Sequence, residues 1–263
     1  MEDTIYISGG VQSIKPISPS EEVMHLKQCF KISLTNIEKH MFTEKTIQDM
    51  LLDKSLHKLI GLHKNVLYSL GGVNGVSSNR LLNETEVYNI EGDSWSKGPL
   101  MMEAKSSVTA CVFQQSVLYT FGGGGTEKRA FCTARIEKLE VYRENVWKYV
   151  TLLAGVEAMW EKEWGYRENA GALQIGEGQI IVFGGFFQGQ AFTTGMLFDV
   201  KRKSVVKSDA FLISEDDFPF STPQLYKGNL FIMGFQRKDV HIYDILNSRW
   251  AWDKGEEQRY TYI

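Results

Sequence analysis

Val66-Leu67-Tyr68-Ser69-Leu70-Gly71-Gly72, followed by Tyr88 and seven residues later by Trp95, is the stretch on which the fold turns. A short apolar run rich in β-branched and aromatic side chains reads as a buried strand, and glycine directly after it permits the positive φ of a tight reversal. The arrangement recurs in Ile5-Tyr6-Ile7-Ser8-Gly9-Gly10, Val117-Leu118-Tyr119-Thr120-Phe121-Gly122-Gly123, Ile180-Ile181-Val182-Phe183-Gly184-Gly185 and Leu230-Phe231-Ile232-Met233-Gly234. Successive first glycines are 62, 51, 62 and 50 residues apart. A period near 50 points to a propeller or a related array of sheets.

The second half of each unit repeats as well. The seven-residue step from Tyr88 to Trp95 is found again from Tyr243 to Trp250, Phe198 to Val205 and Phe30 to Ile37. In the third unit Tyr142 and Trp147 are five apart, which reads as a shorter turn. This glycine doublet, aromatic and tryptophan pattern resembles the kelch repeat across essentially the whole chain. The second unit carries it most fully, Phe235 replaces the second glycine of the fifth, and the first and fourth lack the tryptophan. The resemblance implies one four-stranded sheet per repeat, set radially around a channel. The expected fold is therefore all-β: a kelch-type β-propeller of about five four-stranded blades, forming one domain over residues 1–263. Its repeated structural positions are Gly9, Gly10, Gly71, Gly72, Tyr88, Trp95, Gly122, Gly123, Tyr142, Trp147, Gly184, Gly185, Phe198, Gly234, Tyr243 and Trp250. The aromatics among them read as core, because large apolar bodies fill the wedge between stacked sheets.

With the doublet-ending strand named b, an alternating run precedes it as strand a (Ser107 to Phe113), the aromatic lies on strand c (Glu86 to Ile90), and strand d starts near the tryptophan. Turn residues support these cuts, with Glu91-Gly92-Asp93-Ser94 between c and d, and Gly176-Glu177-Gly178 and Lys227-Gly228-Asn229 between a and b. The chain starts on a b strand and ends in the alternating run Arg259-Tyr260-Thr261-Tyr262-Ile263. That run can supply the missing a strand of the first blade and close the ring by strand exchange, leaving no exposed edges. Kelch relatives more often have more blades, so the alternative is a fragment lacking a blade or an upstream domain.

Loop lengths are unequal. The a–b and c–d connections are short, whereas long connections run from Val11 to Lys27, Val73 to Asn83, Gly124 to Lys138, Phe186 to Gly195, Leu152 to Asn169 and Lys207 to Ser221. Antiparallel strands reverse direction at each step, so all b–c and d–a connections emerge on one face. Long connections on a rigid scaffold are where binding resides. Arginine and aromatic residues in and beside them have the composition of interface hot spots. The expected partner-binding face comprises Arg80, Lys128, Arg129, Trp160, Trp164, Arg167, Phe187, Phe192 and Arg237, with Arg135 and Tyr166 nearby. The segment from Glu157 to Tyr166 reads as a short helix with Trp160 and Trp164 one turn apart, either on the binding face or capping a blade edge.

Composition narrows the function. Of 263 residues 43% are hydrophobic and 12% aromatic, enough for a large core, and the net charge of −3 comes with scattered Lys and Arg. No basic stripe suited to a phosphate backbone is present, so nucleic acid is not an expected partner. Nothing resembles a secretory leader, and no apolar run approaches the roughly 20 residues of a membrane span. A cytoplasmic, and by resemblance cytoskeletal, location is expected. Cys29, Cys111 and Cys132 have neither a disulfide framework nor CxxC spacing and read as reduced thiols. The five histidines form no HxH or HExxH motif, and Gly122-Gly123-Gly124-Gly125 lacks the Lys-Ser/Thr ending of a phosphate loop.

No catalytic residues, cofactor or metal are therefore expected. The leading expectation is a non-catalytic scaffold that binds an acidic or extended protein segment. By resemblance it would serve in a cytoskeletal or ciliary assembly or as a substrate-recognition module. No BTB-type adaptor segment is visible, which weighs against the ligase-adaptor version. The alternative is an enzyme or small-ligand binder using the channel mouth, like the sugar isomerases and copper-radical oxidases among similar propellers.

Overall fold

The computed structural model describes residues 3–13, 23–36, 41–63, 65–75, 80–125, 134–163, 167–187, 190–192, 194–208, 224–226, 229–233, 240–244 and 249–250. Five antiparallel meanders follow one another along the chain. The first has three strands, Asp3–Ser13, Val23–Asn36 and Met41–Ile47. The second has four, Lys58–His63, Val66–Leu70, Thr85–Asn89 and Ser94–Lys97. The third comprises Thr109–Phe113, Val117–Phe121, Ile136–Glu140 and Trp147–Tyr149. The fourth comprises Gly171–Ile175, Gln179–Phe183, Gly195–Asp199 and Ser204–Ser208. The fifth comprises Gln224–Tyr226, Asn229–Met233, Val240–Asp244 and Arg249–Trp250. A single helix, Val156–Glu163, interrupts the strands among the described residues.

Each strand serves two neighbours, because successive side chains leave opposite faces of a sheet. On the b strand of the second sheet, Leu67 packs back against Cys29 and Ile47 of the first sheet and Met50 of the connection between them. The adjacent Tyr68 packs forward against Val108, Ala110 and Leu118 of the third. The same alternation sends Leu118 back to the second sheet and Tyr119 forward onto Ile180, Val182 and Phe198 of the fourth. First strands of the second, third and fourth sheets lie side by side. These are radially arranged blades of a β-propeller with the a strands inside.

In the second and fourth sheets the aromatic on c and its partner on d pair across the strands and face the preceding blade, and the fifth sheet keeps the same backbone register. Tyr88 is paired with Trp95, Phe198 with Val205 and Tyr243 with Trp250. The Tyr88 and Trp95 rings lie 5.0 Å apart, and the Trp95 indole donates to Gln48 O of the first sheet at 2.8 Å. In the third sheet the register departs from expectation. Trp147 pairs with Leu139, which is fully buried, while Tyr142 falls in the c–d turn and is 66% exposed. The unit has a longer turn with leucine at the aromatic position, not a shorter turn with tyrosine there.

The first sheet also differs from the sequence reading. Its b strand does not stop at Gly9-Gly10 but runs on to Ser13, with a register shift between Ser8 and Gly10. Phe30 pairs with Thr46 inside the continuous strand Val23–Asn36, so no turn separates Phe30 from a d strand at Ile37, which lies outside the described residues. Arg259–Ile263, the run expected to close the ring, also lies outside the described residues.

Candidate interaction face

The b–c and d–a connections meet, as strand alternation requires. Ser55, on the way into the second sheet, exchanges backbone hydrogen bonds of 3.1 and 2.9 Å with Val73, just past that sheet's glycine doublet. Ser106 does the same with Gly124 (3.2 and 2.7 Å), and Glu168 with Phe186 (2.9 and 2.8 Å). A second ladder links one blade entrance to the next, with Ser107 N donating to Leu56 O and Asn169 N to Ser107 O. Leu56, Ser107 and Asn169 all have φ near +50°. The conformation turns the carbonyls of Leu56 and Ser107 towards the following blade, and Asn169 repeats it at the entrance to the fourth.

Beneath this ladder is a buried ionic layer. Lys54 reaches Glu86 at 2.7 Å and Lys105 reaches Glu137 at 2.8 Å, all four side chains at most 2% exposed. Each carboxylate also accepts a backbone N–H from the connection that carries its lysine, Leu52 for Glu86 and Met102 for Glu137, both at 3.0 Å. One carboxylate on strand c thus fixes the chain that enters its own blade. Burial lowers the Lys54 ammonium below its ordinary range, against the opposing pull of Glu86. Desolvation outweighs attraction at that pair.

In the fourth blade the corresponding cation is Arg167, and Met196 occupies the carboxylate position opposite Val182. The guanidinium instead donates to Gly184 O, Thr194 O and Thr194 Oγ1, each at 3.1 Å, and lies 4.0 Å from the centre of the Phe192 ring. Arginine suits this site because its planar fork bonds several acceptors while its face takes an aromatic ring.

The expected binding residues divide accordingly. Arg80 is on the face and exposed, in the two-stranded ribbon Val73–Asn74 and Arg80–Leu81, with an ion pair to Glu84 at 2.8 Å. Phe187 is half-buried in the matching ribbon Phe186–Phe187 and Gln190–Ala191 of the fourth blade, and Phe192 is half-buried beside Arg167. Arg167 and Trp160 are each 1% exposed and are packed within the fold instead of projecting from the face, Trp160 at the base of a surface cleft. Trp160 packs near Phe121, and its indole donates to Ala134 O at 2.5 Å. Lys128, Arg129, Trp164 and Arg237 lie outside the described residues, as does Gly234.

The ionic layer was missed by reading the sequence for motifs, yet it left a signal. Lys54, Lys105 and Arg167 each stand seventeen residues before a doublet's first glycine, and Glu86 and Glu137 each fifteen after. No helix among the described residues is long and apolar enough to cross a membrane. Comparison with curated proteins found no match. Residues 59–102 match the family model of the Kelch motif, spanning the second blade from its a strand to the connection beyond its d strand. Residues 59–102 thus carry a Kelch motif, and the same strand order recurs in the three sheets that follow, with the same positive-φ glycine doublet in the third and fourth.

Proposed function

We propose that this chain is a non-catalytic protein-interaction scaffold that binds a partner on the propeller face built from the b–c and d–a connections. The observation that carries the reading is the convergence of those connections at three successive blades, each pair tied by reciprocal backbone bonds. Among the described residues the opposite face carries tight hairpin turns, such as those around Gln114-Gln115 and Gly176. The paired segments Val73–Asn74 with Arg80–Leu81 and Phe186–Phe187 with Gln190–Ala191 add relief to the first face, and backbone pairing there limits the entropy lost on binding. An acidic or extended protein segment suits the arginines assigned to this face. Membership of a cytoskeletal or ciliary assembly, or service as a recognition module, is the role such a scaffold would fill.

The test is capture from native extract with the wild-type chain and with an Arg80→Glu, Arg129→Glu, Arg237→Glu variant, read by mass spectrometry. Arg167 is left unchanged because it is interior. The reading expects a set of proteins that the variant loses while its circular dichroism and unfolding midpoint stay near wild type. Retrieval of the same set by both forms would contradict the assignment of this face.

A further inference from the structure

At the outer corner of the third blade, on the same face, a cleft of about 210 Å³ opens between the ends of strands c and d and the helix Val156–Glu163. Its floor is apolar, with Ile136 and Trp160 buried beneath Val150 and Leu152. Drug-sized ligands occupy roughly 300–1,000 Å³, so this cleft suits a single long side chain better. Its walls are charged. On one side Arg135 lies 4.8 Å from the Tyr149 ring centre and 3.6 Å from Glu103, to which the Tyr149 hydroxyl donates at 3.2 Å. Its positive charge faces Glu103 first, with a weaker pull from Glu157 across the cleft. On the other side Glu157 and Glu161, one helical turn apart, are exposed and have no ion pair among the described residues.

An apolar floor under two exposed carboxylates that hold no ion pair among the described residues matches a basic side chain, whose methylene stem can lie on the floor with the charged head at the rim. We propose that this cleft is a subsite for an arginine or lysine of the protein partner. The proposal rests on the reading of the face as a protein-binding surface and gives it a specificity element separate from the arginines of the ribbons. An acidic partner segment with one basic residue at this corner would satisfy both.

The experiment uses the full chain labelled for NMR and three blocked pentapeptides, each with central arginine, norleucine or glutamate flanked by alanines. The reporters are the Trp160 indole N–H and the backbone amides of residues 157–161. The arginine peptide is expected to shift them with millimolar affinity, about three- to tenfold more tightly than norleucine, as partly exposed charge pairs allow. Glu157→Gln, Glu161→Gln together should erase that difference while norleucine binding stays the same. Equal shifts from all three peptides, an unchanged preference in the double variant, or no response at Trp160 would overturn the subsite. If extract capture retrieves no partner while the arginine peptide still binds, the protein-binding reading fails and the cleft's cation preference stands. If a partner is captured but the peptides do not discriminate, only the subsite is wrong.

Discussion

Lys105 and Glu137 show how a polar pair can organise an apolar repeat. Their ion pair is buried, and Glu137 also holds Met102 N, so removing the carboxylate leaves that amide without its acceptor and the buried ammonium with Thr120 Oγ1 in place of a counter-charge. Glu137→Ala is expected to destabilise the chain by about 3–5 kcal/mol, as breaking buried pairs does. Replacing both partners, Lys105→Met with Glu137→Leu, should recover most of that loss, because apolar packing escapes the desolvation cost. Urea titrations of both single variants and the double variant check this, and additive losses would deny the coupling. His57 adds a pH dependence. Its Nε2 lies 2.9 Å from Ser8 Oγ, while burial and the nearby Lys54 charge hold the ring down to about 3. The unfolded ring takes up its proton near pH 6.5, so the folded state binds fewer protons below that value. Stability should therefore fall as pH drops from about 6.5 towards 3. The unfolding midpoint compared at pH 7.5 and 5 should show a smaller drop in His57→Gln.

At the scale of the element, the glycine doublet is a junction between three chain segments. Gly71 N donates to Glu84 O, Gly72 N donates to Lys105 O, and Gly72 O accepts from Leu82 N. Gly72 has φ +109°, and a Cβ there would come within 2.6 Å of Ser55 O, a backbone atom with nowhere to go. Gly72→Ala is expected to cost about 1–3 kcal/mol from its strained φ alone, with the carbonyl clash adding to it. Gly178→Ala is the control, since its Cβ would meet nothing within 4 Å. Equal unfolding midpoints for the two variants would contradict the junction role. The doublets were legible in the sequence because glycine is the residue that tolerates such backbone, and the Tyr88–Trp95 step because cross-strand partners around a short turn have fixed spacing. Tyr142 misled because an aromatic near the expected spacing looks like a core residue, while Leu139 fills the position with equal effect and no distinctive signature. Arg167 and Trp160 misled for a related reason. Arginine and tryptophan in a connection suggest a surface, but carbonyls and an aromatic ring within the fold supplied their partners.

For the whole molecule, strand alternation alone dictated that the long connections share a face, and the reciprocal bonds at Ser55, Ser106 and Glu168 show them doing so. What alternation could not give is which side chains project from that face, since this depends on contacts between segments far apart in sequence. The central claim is that a protein partner binds there. The most direct measurement is hydrogen exchange on the chain alone and in complex with its captured partner. The account predicts added protection in residues 73–81 and 186–191, with the hairpin turns at 91–93, 114–116, 176–178 and 201–203 unchanged. Protection confined to those turns would place the partner on the opposite face and contradict the account.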